Sequence, residues 1–354
     1  MRRVGIVRDQ RFIEHRTGVH HIEVPRRLET IYSMLDADGR LKDRLVEIVP
    51  RFASLEDVEM VHGAEYVEKI LDTAGEPLRY LDPDTVTSEQ SCRAAFLAVG
   101  GVLEAVRSVA ARETDTAFAL IRPPGHHAER NRQMGFCLFN NAALAAEYAR
   151  RTLGFQRVLI VDFDVHHPNG TQHIFEQTAQ VLLFSSHRYP FFPGTGDMLE
   201  VGLGDGRGYS VNVPLPAQRD DSDLVLAYRR LLEPLAREFQ PQLILVSAGF
   251  DAHFDDPIGG MRVSEHGFAA LAQIVLGLAD ELCGGKSVFM LEGGYDLGAL
   301  RKSTRAVLEA MLDGVPAALV QRIEGGVRPA SPVHAIIEKV AEVQGQYWRC
   351  FRDV

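Results

Sequence analysis

The sequence predicts an α/β fold built on a mainly parallel sheet, and three observations carry that expectation. Short apolar runs recur along the chain with helix-like segments between them. The runs are continuously hydrophobic rather than alternating, as strands covered on both faces must be. Charged and polar residues then crowd the ends of several runs, where open α/β sheets bind their ligands.

Strands are expected at RRVGIV (2–7), TAFALI (116–121), RVLIVDFD (157–164), VLLFSS (181–186), QLILVSAG (242–249) and SVFMLEGG (287–294). Helices are expected at 91–111, 141–153, 223–239, 265–282 and 297–312, where apolar residues recur near helical spacing. In 331–351, Val333, Ile336, Ile337, Val340, Val343 and Tyr347 fall at helical intervals, which predicts a last helix docked on the body. No composition break marks a linker and no segment repeats, so a single domain over 1–354 is expected. The glycine-rich stretch 194–208 is short enough to be a loop.

A chain of 354 residues is long enough to bury a substantial core. Its formal charge of −10 disfavours non-specific attraction to nucleic acid or to anionic membranes and suits a cationic substrate. Cys92, Cys137, Cys283 and Cys350 are scattered without a CxxC pair, which argues against a disulfide framework and a thiolate metal site. The amino terminus meets Arg8 and Asp9 before a signal-length apolar stretch develops, and no later run looks long enough to span a bilayer. The expectation is a soluble cytoplasmic protein with no direct nucleic-acid or membrane partner, its oligomeric state left open.

The stretch LIVDFDVHHPNG, 159–170, places costly polar groups where a buried strand ends. In an extended strand alternate residues share a side, so Asp162, Asp164 and His166 line one face. Three other runs end similarly: LILVSAGFDAH delivers Asp251, FALIRPPGHHAE delivers His126 and His127, and VFMLEGGYD delivers Tyr295. Asp164, His166 and Asp251 supply two oxygens and one nitrogen, the donors of a catalytic zinc site with an open position, and iron(II) accepts the same donors. The histidine pair suits acid–base work, and the Tyr295 phenol suits donation to a developing oxyanion.

RPPGHHAE, GFCLFNN, DFDVHHPNGTQ, FFPGTGD, SAGFDAH and LEGGY, in that order, resemble the histone deacetylase and acetylpolyamine amidohydrolase superfamily from about residue 15 to 295. The resemblance implies an arginase-like single domain with an eight-stranded parallel sheet that hydrolyses acetyl amides at zinc or iron. It implies Asp164, His166 and Asp251 as metal ligands, His127 as general base and acid, His126 as its electrostatic partner, and Tyr295 as the carbonyl-polarising phenol. Gly135, Phe136 and Phe192 match the acyl-lysine tunnel. Asp162 matches the acceptor for the first tandem histidine, and also an inner potassium ligand with the backbone oxygens of Asp164 and His166 and the Ser185 hydroxyl. Phe175, Thr178, Val181 and Tyr209 match backbone ligands of a second potassium or sodium ion. The segment 15–28 resembles the family's amino-terminal signature, with Ile22 where proline is common, and Arg27 matches a residue of the interior channel behind the metal.

Asn169 stands where class I deacetylases carry aspartate, so His127 is oriented without an added negative charge that would favour its protonated form. Pro168 replaces the usual glycine of HHGNG, which leaves the local loop shape open, and His167 is expected to be structural. Ile258 occupies the position where a glutamate favours acetylpolyamines, which points to acylated lysine or a less charged acyl amine, with acetylpolyamine as the alternative. Asp82 and Asp84 are either rim residues that hold a substrate backbone or solvated turn aspartates. An arginase-type two-metal site is disfavoured because Pro168 takes the place of the second bridging aspartate in DxHxD. A non-catalytic acyl-lysine binding module would not need His127 and Tyr295 together. The run GLGDGRG, 202–208, lacks GxGxxG spacing and reads as turns.

Overall fold

In the computed structural model, which describes residues 2–352, eight strands form one parallel sheet. They are β1 (Val4–Val7), β2 (Leu45–Glu47), β3 (Thr116–Ala119), β4 (Val158–Asp162), β5 (Val181–Arg188), β6 (Ser210–Leu215), β7 (Leu243–Ala248) and β8 (Ser287–Leu291). Their spatial order is β2-β1-β3-β8-β7-β4-β5-β6. Every residue of β3, β4, β7 and β8 is buried, which is why these strands read as unbroken apolar runs.

The two strands that the apolar runs do not reveal lie at the sheet edges. The strand β2 is three residues long and largely exposed, so nothing in LVE marks it. The strand β6, SVNVPL, mixes polar residues with Pro214, which an edge strand tolerates because one side of its ladder is unpaired.

Helices α1 (Arg26–Ala37), α2 (Ser91–Ala110), α3 (Asn141–Arg151), α4 (Asn169–Phe175), α5 (Asp221–Ala227), α6 (Glu233–Phe239), α7 (Glu265–Cys283), α8 (Leu297–Asp313) and α9 (Val333–Gln344) surround the sheet. α2 packs on α3, α7 packs on α8, and α1 lies against α8. The helix expected over 223–239 starts earlier, because Asp220 caps it and Asp223 returns the bond to complete a capping box. A π-helical segment, Tyr228–Leu232, joins α5 to α6. The terminal helix ends at Gln344, and a short turn then carries Trp348, whose Nε1 donates to Gly208 O at 2.8 Å.

The expectation that no run is long enough to span a bilayer does not hold for one helix. Helix α7 is long and apolar enough in composition to cross a bilayer, with a mean hydropathy of 1.2. Its best window is 67% buried, and α7 packs against α8 and β7, so its apolarity is accounted for by the core.

The four strand ends that the sequence singles out belong to four contiguous central strands, β3, β8, β7 and β4. Asn140 secures the loop that follows β3. Its Oδ1 accepts from Ala143 N at 2.9 Å and caps α3, while its Nδ2 donates to Ala128 O and Thr171 Oγ1, each at 3.1 Å. Replacing it leaves several buried groups without partners. Asn140→Ala is expected to lower unfolding stability by about 1–3 kcal/mol. An unchanged denaturation midpoint would show that the loop is held by other contacts.

Candidate active site

At the end of β4 the chain leaves the sheet and brings Asp164 and His166 to Asp251, which follows β7. One donor atom from each of these buried residues lies within 4.8 Å of the others. His166 Nδ1 is 3.0 Å from Asp164 Oδ1 and 3.2 Å from Asp251 Oδ2. The remaining carboxylate oxygens are occupied: Asp164 Oδ2 accepts from Gly293 N at 2.9 Å, and Asp251 Oδ1 from Val165 N at 2.8 Å. Asp251 Oδ2 is buried and accepts no hydrogen bond.

Two carboxylates and an imidazole converging on an unsatisfied oxygen are a donor set that fits a divalent cation. The electrostatics agree. Burial and the nearby Asp164 push Asp251 up to about 7. Although burial opposes charge on His166, the adjacent carboxylates of Asp164 and Asp251 raise it to about 9. Burial likewise opposes ionisation of Asp164, yet His126 and His166 hold its carboxyl far below the usual range.

Backbone makes room for this cluster at two glycines. A Cβ on Gly249 would stand 2.0 Å from Asp164 Oδ2, and one on Gly293 would stand 2.1 Å from Asp251 Oδ2. Gly293 is the first glycine of LEGGY, so its role is close approach to the carboxylates.

The tandem histidines lie beside the cluster with their rings 4.0 Å apart. His126 Nδ1 is 3.1 Å from Asp162 Oδ2, and His127 Nδ1 is 2.7 Å from Asn169 Oδ1. Pro168 immediately precedes α4 with φ −79°, and Asn169 is the first residue of that helix. The two rings have opposite electrostatics. Burial disfavours charge on His126, but Asp164 and Asp162 override it and raise the group to about 10. Burial and the neighbouring charges of His126 and His166 hold His127 well below the usual imidazole value.

Tyr295 follows β8, and its backbone N–H donates to Asp256 Oδ2 at 2.8 Å. Its ring meets Phe136 edge-on at 5.8 Å and lies 5.1 Å from the Arg27 guanidinium. The hydroxyl hydrogen-bonds to no described residue. Burial and Asp251 push its pKa far above the ordinary phenol value.

The aromatic residues expected at a tunnel do flank these groups. Phe192 meets His127 edge-on at 5.1 Å, and Phe136 sits at φ 70°, a left-handed conformation that a non-glycine residue rarely adopts. A Cβ on Gly135 would strike His127 Cδ2 at 2.4 Å. Ile258 is half-buried on the loop after Asp251, where Asp256 Oδ1 accepts its N–H at 3.0 Å. Asp82 and Asp84 share one turn, with Asp82 Oδ1 accepting from Thr85 N at 2.7 Å, and Thr85 Oγ1 accepts from Phe136 N at 3.2 Å. Ser185 is in register with Asp162, and its Oγ is 2.8 Å from His187 Nδ1. Phe175, Thr178 and Val181 span the α4 to β5 connection, and Tyr209 immediately precedes β6.

The structure adds Glu23, Arg122 and Glu292, which the motif reading passed over. Arg27, expected behind the metal, and Arg122 both pair with Glu23, and all three side chains are fully buried. Arg27 Nε also donates to Gly294 O at 2.7 Å, which braces the turn before Tyr295. Glu292 Oε2 accepts from Gly125 N at 2.7 Å and His126 N at 3.2 Å, under the histidine loop. Both Arg122 and Glu292 had a signal in the sequence, a charge placed at the end of an apolar run. His167 receives the structural role expected of it: its Nδ1 is 2.8 Å from Thr195 Oγ1 and its Nε2 is 3.0 Å from Gln172 Oε1. These bonds pin the loop that carries Phe192.

A parallel sheet that gathers at its carboxyl ends an Asp–His–Asp set able to hold a metal ion, flanked by paired histidines and a free phenol, has the makings of an α/β hydrolase. The family comparison is specific: residues 21–311 match the histone deacetylase domain, and the chain belongs to that family. It is a hydrolase of the deacetylase type, acting on amide bonds. A probable deacetylase of Archaeoglobus fulgidus is 36% identical over 98% of this chain and 99% of its own length. Histone deacetylase 15 of Arabidopsis thaliana is 41% identical over 84% of this chain and 53% of its own. A polyamine deacetylase of Danio rerio is 38% identical over 94% of this chain and 50% of its own, so the chain spans about half the length of these eukaryotic relatives. The crystal structure of the HDA15 HD domain superposes with a TM-score of 0.90 at 36% identity, covering 99% of this chain and 96% of that one.

Adding a methyl group at Gly293 tests whether close backbone approach creates the metal cluster. Gly293→Ala is expected to weaken divalent-metal uptake by about 10-fold or more, a typical cost of disturbing the groups that orient metal ligands. Metal titration of the purified variant checks this, and undiminished affinity would show that the carboxylates tolerate the intrusion.

Proposed function

We propose that the chain hydrolyses the amide of N-acetylated or N-acylated lysine, with Zn2+, or alternatively Fe2+, held by Asp164, His166 and Asp251. The observation that carries this reading is the orphaned Asp251 Oδ2 beside a neutral histidine and a free phenol. A divalent cation there supplies a Lewis acid and lowers the pKa of water toward about 7.

The protein's own groups divide the remaining work. His127 donates its Nδ1 hydrogen to Asn169, which leaves Nε2 free to take a proton from the attacking water and deliver it to the leaving amine. His126 stays charged between Asp162 and Asp164, and its charge keeps His127 in the neutral form needed to begin. Tyr295 donates its hydroxyl hydrogen to the oxygen that becomes negative as the carbonyl is attacked. Phe136 and Phe192 hold the aliphatic stem and exclude water around it.

Lysine in a peptide is favoured over a free polyamine by the character of the mouth. Ile258 offers no carboxylate for a second ammonium. His21, whose ring packs on Phe136 at 4.7 Å, belongs to a loop that exposes Val19 at 92% and abuts Leu78 at Gly18. Tyr80 of the facing turn is 65% exposed, so the rim is apolar enough to accept a peptide flank. The polyamine alternative draws on the fish relative's name.

Structural monovalent cations belong to the same reading. The Asp162 carboxylate, the Asp164 and His166 carbonyls and the Ser185 hydroxyl would hold an inner K+, and the carbonyls of Phe175, Thr178, Val181 and Tyr209 a second K+ or Na+. Phe175 O already accepts from Thr178 N at 3.0 Å and Tyr209 O from Leu183 N at 2.9 Å, and each carbonyl keeps a second lone pair for a cation.

Comparing turnover of acetyl-lysine peptides, longer acyl-lysine peptides and acetylated polyamines on zinc- and iron-loaded protein tests the assignment. Peptide substrates are expected to be faster, and a preference for polyamines would reverse it. Tyr295→Phe is expected to retain metal while losing about 10²–10³-fold in kcat. Wild-type turnover in that variant would remove the phenol from the reaction.

A further inference from the structure

The orientation of an asparagine amide is not fixed by its shape, because its oxygen and nitrogen ends are nearly isosteric. At Asn169 the difference decides the state of His127. If the oxygen faces Nδ1, the ring must carry its hydrogen there and Nε2 is a base. If the nitrogen faces Nδ1, the hydrogen moves to Nε2 and the base is lost.

Asn169 Oδ1 lies 2.7 Å from His127 Nδ1, while Asn169 Nδ2 donates to Glu129 Oε1 at 2.8 Å. An ionised carboxylate only accepts, so it tolerates the nitrogen end and repels the oxygen end. Glu129 is ionised and held in place. Burial opposes its charge, but hydrogen bonds from His173 and Asn169 keep it below its usual pKa. His173 Nδ1 lies 3.0 Å from both of its oxygens. The Glu129 backbone is tied as well, its carbonyl oxygen lying 3.0 Å from His62 Nδ1.

We propose that Glu129 is a positioning residue that locks the Asn169 amide with its oxygen toward His127, and so sets the tautomer of the catalytic base. The inference rests on the deacetylase reading of His127, and it explains why an amide rather than a carboxylate works at position 169. An aspartate there would face the Glu129 carboxylate at the distance now spanned by a hydrogen bond. The two positions are therefore coupled in sign. Asn169→Asp is harmful while Glu129 is present and helpful once Glu129 is neutral. In the Glu129→Gln background the introduced carboxylate accepts from His127 Nδ1 on one side and from the glutamine amide on the other.

The test measures kcat and KM on an acetyl-lysine peptide for Glu129→Gln, Asn169→Asp and the double variant. Metal content, melting temperature and 15N imidazole spectra accompany the kinetics. Glu129→Gln is expected to lower kcat about 10-fold with KM and metal content unchanged. The double variant is expected to recover most of that loss, and Asn169→Asp alone is expected to be slower than the double variant. His127 should be the Nδ1–H tautomer in the wild type and in the double variant, and a mixture in Glu129→Gln. If Asn169→Asp is equally damaging in both backgrounds, or if the His127 tautomer is unchanged in Glu129→Gln, the proposal fails. The spectra read the tautomer directly, so inactivity of the wild type toward every acyl-lysine would overturn the functional reading and leave this result standing.

Discussion

The structure depends on keeping two aspartates, Asp164 and Asp251, ionisable and side by side in a buried site. Removing a charge from water costs several kcal/mol even after relaxation, and bringing two like charges together adds to it. The chain meets that demand with groups drawn from four strand ends. Backbone amides of Val165 and Gly293 occupy one oxygen of each carboxylate, and His166 lies between the others. Gly249 and Gly293 are needed because the carboxylates fill the space a Cβ would take. The residual demand, expressed in the raised Asp251 and the raised His166, is for a cation.

That demand also separates the roles of the two tandem histidines. Their rings are neighbours of nearly equal burial, so burial alone would keep both neutral. His126 faces Asp162 and Asp164 and becomes charged, whereas His127 faces a neutral amide and the charge on His126. The proposed mechanism uses that difference, assigning a fixed positive charge to the first ring and proton acceptance to the second. A second ionic group behind the site, Glu23 between Arg27 and Arg122, braces the same loops from inside the core. Breaking one partner of such a buried set leaves an uncompensated charge, so its contribution is to specify geometry more than to add stability.

Much of this was legible in the sequence because the decisive pattern is local. Apolar strands β3, β4, β7 and β8 announce themselves, and their polar ends contain His126, His127, Asp164, His166, Asp251 and Tyr295. The edge strands were hidden for the opposite reason: β2 is too short and exposed to show a pattern, and β6 breaks its apolar run with Ser210, Asn212 and Pro214. The supporting carboxylates were hidden by distance along the chain. Glu292 meets Gly125 across 167 positions, and Glu129 meets Asn169 across 40. Nothing near either residue in sequence says which donor it will meet, although a glutamate ending an apolar run already required one.

The placement of Asp256 ties the loop that carries Ile258 to the backbone of Tyr295. One of its oxygens accepts from the backbone of Ile258 at 3.0 Å and of Gly259 at 3.1 Å, and the other accepts from the backbone of Tyr295 at 2.8 Å. Ile258 and Tyr295, to which the proposed function assigns the passage and the substrate carbonyl, thus hang on one buried carboxyl. A change at Ile258 that moves its backbone is transmitted to Tyr295 through bonds of fixed length, and an error of about 1 Å in such a group costs as much as 10²-fold in rate. Side-chain exchange at Ile258 that leaves the backbone in place escapes this penalty. Under the proposed function, selectivity is therefore free to vary by side-chain chemistry at that position, and it is constrained wherever it requires the loop to change shape.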